Sequence, residues 1–256
     1  IIFIFGIVSG IILTFGTGVP MLVNNLHTSL GTPDNFIMQV VMVVAVTIFF
    51  TASSYAGLEK GMKFCSDSTI YLCFFLLAYV FIFGGPQFQL ENTIKSFGMM
   101  LSNFVPMITE NEPIIKTGFT ADWTVFYWAW WITLAPWMWI FIAKISKGRT
   151  IKEVILSITG AGMLSTLLFF GVLSNYGLQL QLTGSFNFVE ILQTQSPEQV
   201  ISTVIAALPL GKIILLVWFL TGTMLLITTL DSAVFTLSAA SIKNIKDDEI
   251  PPNHLK

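Results

Sequence analysis

Charge is what this sequence has least of. Asp, Glu, Lys and Arg together make up 10% of its 256 residues, against about 25% in an ordinary soluble domain. Charges are what wet a globular surface, so a soluble fold is excluded and lipid must be the main solvent. Cysteine is nearly absent too: Cys65 and Cys73 lie eight residues apart beside an apolar segment. They match no metal spacing and suggest no disulfide framework, and they read as small buried hydrophobes. Histidine is limited to His27 and His254. The net charge of −2 gives no reason to expect a nucleic-acid partner. The start has no Met and no charged n-region, so it does not read as a signal peptide. The chain begins inside an apolar run and stops in Pro251-Pro252-Asn253-His254-Leu255-Lys256. Both ends read as cut, and a longer protein is expected.

What is present is apolar sequence, 54% of the chain, in stretches long enough to cross a bilayer. A spanning helix needs about 20 apolar residues. Six segments qualify: 1–26, 36–58, 69–88, 123–145, 154–178 and 210–242. The expected fold is all-α, a polytopic transmembrane helical bundle forming one domain over 1–256. Taking alternate loops, one set holds Lys60, Lys63, Lys144, Lys147, Arg149, Lys152, Lys243, Lys246 and Lys256, and the other holds Lys95, Lys116 and Lys212. Nine against three places the first set inside by the positive-inside rule. The inner, cytoplasmic membrane is the expected location, with residues 89–121 and 179–209 outside. Leu90, Ile94, Phe97, Met100 and Leu101 recur at helical spacing. They predict an outer amphipathic helix over about 90–108, lying on the membrane or on neighbouring helices. Gly16-Thr17-Gly18-Val19-Pro20 is a candidate unwound point or a site of tight helix packing.

The densest signal is Asp122-Trp123-Thr124-Val125-Phe126-Tyr127-Trp128-Ala129-Trp130-Trp131, followed by Trp137 and Trp139. Trp at a helix end often marks an interfacial belt. Here Trp131 lies about 12 Å and Trp137 about 21 Å inward of Trp123, too deep for a belt alone. At about 100° per residue, Trp123, Tyr127, Trp130, Leu134 and Trp137 share one stripe. Trp131 and Met138 flank it, whereas Trp128 and Trp139 point away as belt or lipid-facing candidates. A deep stripe of aromatic faces suits a cation without N–H donors, because the ring quadrupole supplies the attraction.

The run resembles the signature of the betaine/carnitine/choline transporter family. The residues from Phe141 to Glu153 continue the match, as do Gly57-Leu58-Glu59-Lys60-Gly61-Met62-Lys63, Gly85-Pro86, Thr228-Thr229-Leu230-Asp231-Ser232 and Pro251-Pro252-Asn253. The resemblance covers essentially the whole chain in the family's order. It implies a twelve-helix secondary transporter with a five-plus-five inverted repeat, of which this chain would be the fifth to tenth helices. It makes Trp130 and Trp131 walls of a central aromatic box and Trp123 part of an outer substrate position, and puts Phe126 near the access path. Leu134 departs from the pattern, since many members carry Trp or Tyr there. The implied partner is a small onium solute of the glycine betaine, choline or carnitine class. Family members are often trimers, so a homotrimer is an expected assembly alongside the lipid bilayer.

Asp231 is a carboxylate inside an apolar helix, which is costly and so a functional candidate; the bland reading places it at the cytoplasmic end, near water. Thr228 and Thr229 offer hard oxygen ligands or simply bond back to their own helix. The resemblance matches the two threonines to a sodium site, so Na⁺, or H⁺, is the expected coupling ion, with no cofactor. Met138 matches a methionine of the sodium-independent carnitine-exchanger branch. The arginine that marks that branch has no counterpart, since Arg149 lies in a loop. Another helical-repeat symporter, for amino acids or nucleobases, would explain the Gly/Pro pattern but not the tryptophans. An intramembrane enzyme lacks support: there is no G-x-S-x-G, no second carboxylate beside Asp231 and no His pair.

Overall fold

The computed structural model describes residues 2–112, 114, 117–194 and 196–242. Ile1, Lys116, Lys243, Lys246, His254, Lys256 and Pro251-Pro252-Asn253 lie outside the described residues. Helix accounts for 87% of the structure, no strand occurs among the described residues, and six helical stretches are long and apolar enough to cross a membrane.

The first stretch is α1 (Ile2–Leu30), the second α2 (Phe36–Ala56) and the third α3 (Lys63–Phe83). α1 runs unbroken through Gly16–Pro20, so the unwound alternative does not hold. Gly18 serves packing instead: a Cβ there would sit 3.3 Å from Leu226 Cδ1. Between α2 and α3 the chain makes a π-helical turn over Leu58–Met62. Gly57, at φ +86°, lets the chain leave α2. Gly61 then passes so close to α2 that a Cβ would stand 2.1 Å from the Ser53 carbonyl oxygen. Gly61→Ala is therefore expected to open this turn, and the yield of folded, monodisperse protein should fall sharply. Wild-type yield and melting temperature would contradict that geometry.

The third span differs from its expected bounds of 69–88. Polar residues at its start remain helical, and the helix stops at Gly84-Gly85, where Gly85 takes φ +83°. Pro86 then opens α4 (Pro86–Ser102) at its first turn, where a missing N–H costs nothing. α5 (Phe104–Thr109) follows after a break at Asn103. Pro106 explains the break, because it cannot donate to the Ser102 carbonyl.

The helix α4 is amphipathic in the sense a bilayer requires. Its polar side faces protein: Asn92 Nδ2 donates to Asn175 Oδ1 at 2.7 Å, and Asn175 Nδ2 donates to Thr93 Oγ1 at 2.9 Å. Gln89, 1% exposed, donates to the Val80 and Gly84 carbonyls and closes the end of α3. Leu90, Ile94, Phe97 and Leu101 point outward and are exposed.

A π-helical turn over Thr120–Val125 leads into α6 (Phe126–Ile145). α7 (Ile151–Phe169) starts at a capping box between Thr150 and Glu153 and buries none of its residues. A third π-helical turn, Phe170–Ser174, joins it to α8 (Asn175–Leu182). That turn frees the Gly171 carbonyl, which accepts from Thr93 and Asn175. The short helices α9 (Phe188–Thr194) and α10 (Pro197–Ala206) precede α11 (Gly211–Ser241).

α11 is the axis of the fold. It packs against α1, α2, α3, α6 and α10. Being apolar around its circumference, it suits a central position. Leu226, Ile227 and Leu230 meet Val19, Leu22 and Val23 of α1 and Met42 and Val46 of α2 in one cluster. Ile214 and Leu215 meet Leu76 and Val80 of α3 and Tyr176 of α8 in another. At 31 residues, about 46 Å at 1.5 Å per residue, α11 exceeds a hydrocarbon core of about 30 Å.

Candidate functional site

α6 carries aromatic rings on two faces, and the structure gives them different surroundings. One face packs inward. Trp137 is 2% exposed and sits with Ile7 of α1 and Ala233 of α11, while Leu134 and Met138 pack around them. Gly10 of α1 makes room, since a Cβ there would lie 3.2 Å from Leu134 Cδ2 and 3.6 Å from Trp137 Nε1. Trp130, one turn from Leu134, is half-buried and meets the Phe126 ring edge-on at 5.5 Å.

The other face is open. Phe119, Trp123, Thr124, Tyr127, Trp128 and Trp131 line a groove of about 390 Å³, within the size range of small-molecule sites. Trp123 and Tyr127 stack at 6.1 Å with planes 20° apart, and Phe119 extends the series at 6.3 Å from Trp123. Trp131 is 64% exposed.

The sequence-derived stripe is thus divided. Trp123 and Tyr127 join Trp131 in the groove, while Trp130, Leu134 and Trp137 belong to the packed face. Trp128, read as a belt or lipid-facing residue, lines the groove as well. A uniform 100° per residue does not apply across Thr120–Val125. The wider π turn rotates everything before it relative to α6, which brings Phe119 and Trp123 onto the face of Tyr127 and Trp131. Sequence periodicity carries no mark of that turn, and Phe119 was missed for this reason.

On α11, Thr228 and Thr229 both donate to the Leu225 carbonyl at 2.9 Å. Their hydroxyl hydrogens are thereby occupied, which leaves the oxygens to act as acceptors. Asp231, three residues on from Thr228, is 0% exposed. It accepts from Ser53 Oγ on Oδ2 at 2.6 Å and from Ser54 Oγ on Oδ1 at 2.5 Å. These serines lie in the last turn of α2, so Asp231 is level with that helix end although about 15 Å short of the end of α11. Asp231 is shielded from solvent rather than open to water. Adjacent serines in an apolar helix are the only sequence trace of this contact, and they do not name a partner.

A family model described as BCCT, betaine/carnitine/choline family transporter, matches residues 1–256. The chain is 37% identical over 233 residues to a carnitine transporter of Acinetobacter baumannii, covering 90% of this chain and 42% of that protein. It is 34% identical over 213 residues to glycine betaine transporter 2 of Vibrio parahaemolyticus, covering 83% of this chain and 39% of that protein. It is 31% identical over 237 residues to the glycine betaine transporter OpuD of Bacillus subtilis, covering 91% and 45% respectively. The chain therefore spans less than half the length of these relatives.

Proposed function

Because the chain belongs to the betaine/carnitine/choline transporter family, we propose that it is part of a secondary transporter that moves a methylated onium solute across the cytoplasmic membrane by alternating access. Glycine betaine and carnitine are the first solutes to test, since the relatives are named for them. The open aromatic groove on α6 carries this reading. Its lining is almost wholly apolar ring surface. A quaternary ammonium has no N–H to donate, and ring faces attract it without requiring hydrogen-bond acceptors. A primary ammonium would find few acceptors here, the hydroxyls of Thr124 and Tyr127 alone among the lining side chains.

Cation coupling is the second part of the proposal. Thr228 and Thr229 place two hydroxyl oxygens side by side with their hydrogens directed back to the helix. Neutral oxygen donors of this kind suit a hard cation such as Na⁺. Met138 is packed beside Trp137 and Ile7, a placement that favours a packing role over a part in sodium-independent exchange.

Uptake of radiolabelled glycine betaine, carnitine and choline by the complete transporter, with and without Na⁺, tests both parts. Thr229→Val, which keeps the shape and removes the hydroxyl, should raise the Na⁺ concentration for half-maximal uptake at least tenfold. No uptake or binding of any onium solute would overturn the solute reading. Uptake indifferent to Na⁺ would overturn the sodium reading alone.

A further inference from the structure

Asp231 is a fully buried carboxylate that the transport reading leaves unused. Its two oxygens take one serine hydroxyl each, and both serines belong to the last turn of α2. That turn is itself constrained. Ser53 and Ser54 carbonyls both accept from Gly57 N–H, Gly61 presses on the Ser53 backbone, and Cys65 Sγ stands 3.6 Å from Ser53 Oγ. The carboxylate is thus tied to a fixed corner where α2 turns into α3. Two bonds, one to each oxygen, hold a direction as well as a distance.

We propose that Ser53, Ser54 and Asp231 form a positioning node that sets the rotation of α11 about its own axis and thereby aims Thr228 and Thr229. This rests on the sodium reading above. At about 100° per residue, Thr229 lies about 160° around α11 from Asp231, and Thr228 about 60°. With Asp231 pinned toward α2, Thr229 is turned to the opposite side of the helix. Among the described residues that side is open: Leu225, one turn before Thr229, is 46% exposed. Close packing against five helices limits the rotation of α11, but Leu and Ile contacts tolerate small turns. A carboxylate with two short hydrogen bonds does not. The node is a positioning device, since Asp231 itself does not face the open side.

The test uses the complete transporter in proteoliposomes and compares Ser54→Ala, Ser53→Ala with Ser54→Ala, Asp231→Asn, and all three changes together. The half-saturating Na⁺ concentration should rise at least tenfold in Asp231→Asn. The solute KM, measured at saturating Na⁺, should stay within twofold. Adding the serine changes to Asp231→Asn should cause no further rise, because all three act through one node. Ser54→Ala, the mildest variant, keeps the test readable if the others fold poorly. An unchanged Na⁺ requirement in well-folded variants, or effects that multiply, would overturn the proposal. A second readout does not depend on sodium coupling. In a cysteine-free background, the thiol-labelling rate of Thr229→Cys should change at least fivefold when Asp231→Asn is added. If wild-type uptake proves indifferent to Na⁺ while this labelling shifts, the node stands and only the sodium reading falls. Unaltered labelling would sink the node.

Discussion

Trp131→Ala in the complete transporter is expected to raise the apparent KM for an onium solute about 30-fold and to leave the melting temperature nearly unchanged. Among the described residues Trp131 is exposed in the groove and fills no core space, so its removal opens no cavity within this chain. What disappears is one ring face. A desolvated cation–π contact contributes about 2 kcal/mol, and about 1.4 kcal/mol corresponds to a tenfold change in affinity. Trp131→Phe retains a ring with a weaker quadrupole and should cost only a few-fold. Concentration-dependent uptake and a thermal melt of the purified protein give both numbers. A KM within twofold of wild type for Trp131→Ala would remove the groove as the solute site.

The opposite pattern is expected six residues further on. Trp137→Ala should destabilise the protein by about 3–5 kcal/mol, the usual cost of truncating a buried large aromatic, and leave the KM of the surviving protein within about threefold. Trp137 is 2% exposed, and its Nε1 has no hydrogen-bond partner among the described residues. Its contribution is therefore packing against Ile7, Gly10 and Ala233. Between helices in lipid, such contacts are held by dispersion and close fit rather than by exclusion of water. Thermal unfolding in detergent measures the loss, and uptake kinetics measure the KM. Preserved stability with a large rise in KM would place Trp137 on the solute path.

The two tryptophans look alike in the sequence, and a helical wheel even favours Trp137 as the stripe residue. The wheel sets them about 120° apart, but only the structure shows which side is packed, through Gly10 beside Trp137, and which rings join Trp131, through the π turn. Neither is visible to a periodic count. Gly10 lies more than a hundred residues away, and the π turn at Thr120–Val125 uses residues that would also fit an α-helix. Asp231 shows the same divide. Its cost in an apolar segment could be read directly, but not its serine partners, which are 177 and 178 residues distant.

The third span and the outer helix illustrate a milder shortfall. Gly84-Gly85-Pro86 marked a helix end, yet the expected span ran past it to Phe88. The outer helix was expected near 90, but it begins at Pro86 and breaks at Asn103. Local chemistry explains both boundaries once the backbone is in view: a left-handed Gly85 and a proline that cannot donate.

The sequence by itself determined the solvent, the helical class and the presence of six membrane-length segments, because these depend on composition and run length, which are local properties. It also carried the family, through motifs that are contiguous in the chain. Tertiary structure alone decided which rings are open and which are packed, which way α11 presents its threonines, and what holds Asp231. Those outcomes depend on where one helix is rotated against another, and that rotation is set by contacts between residues far apart in the chain.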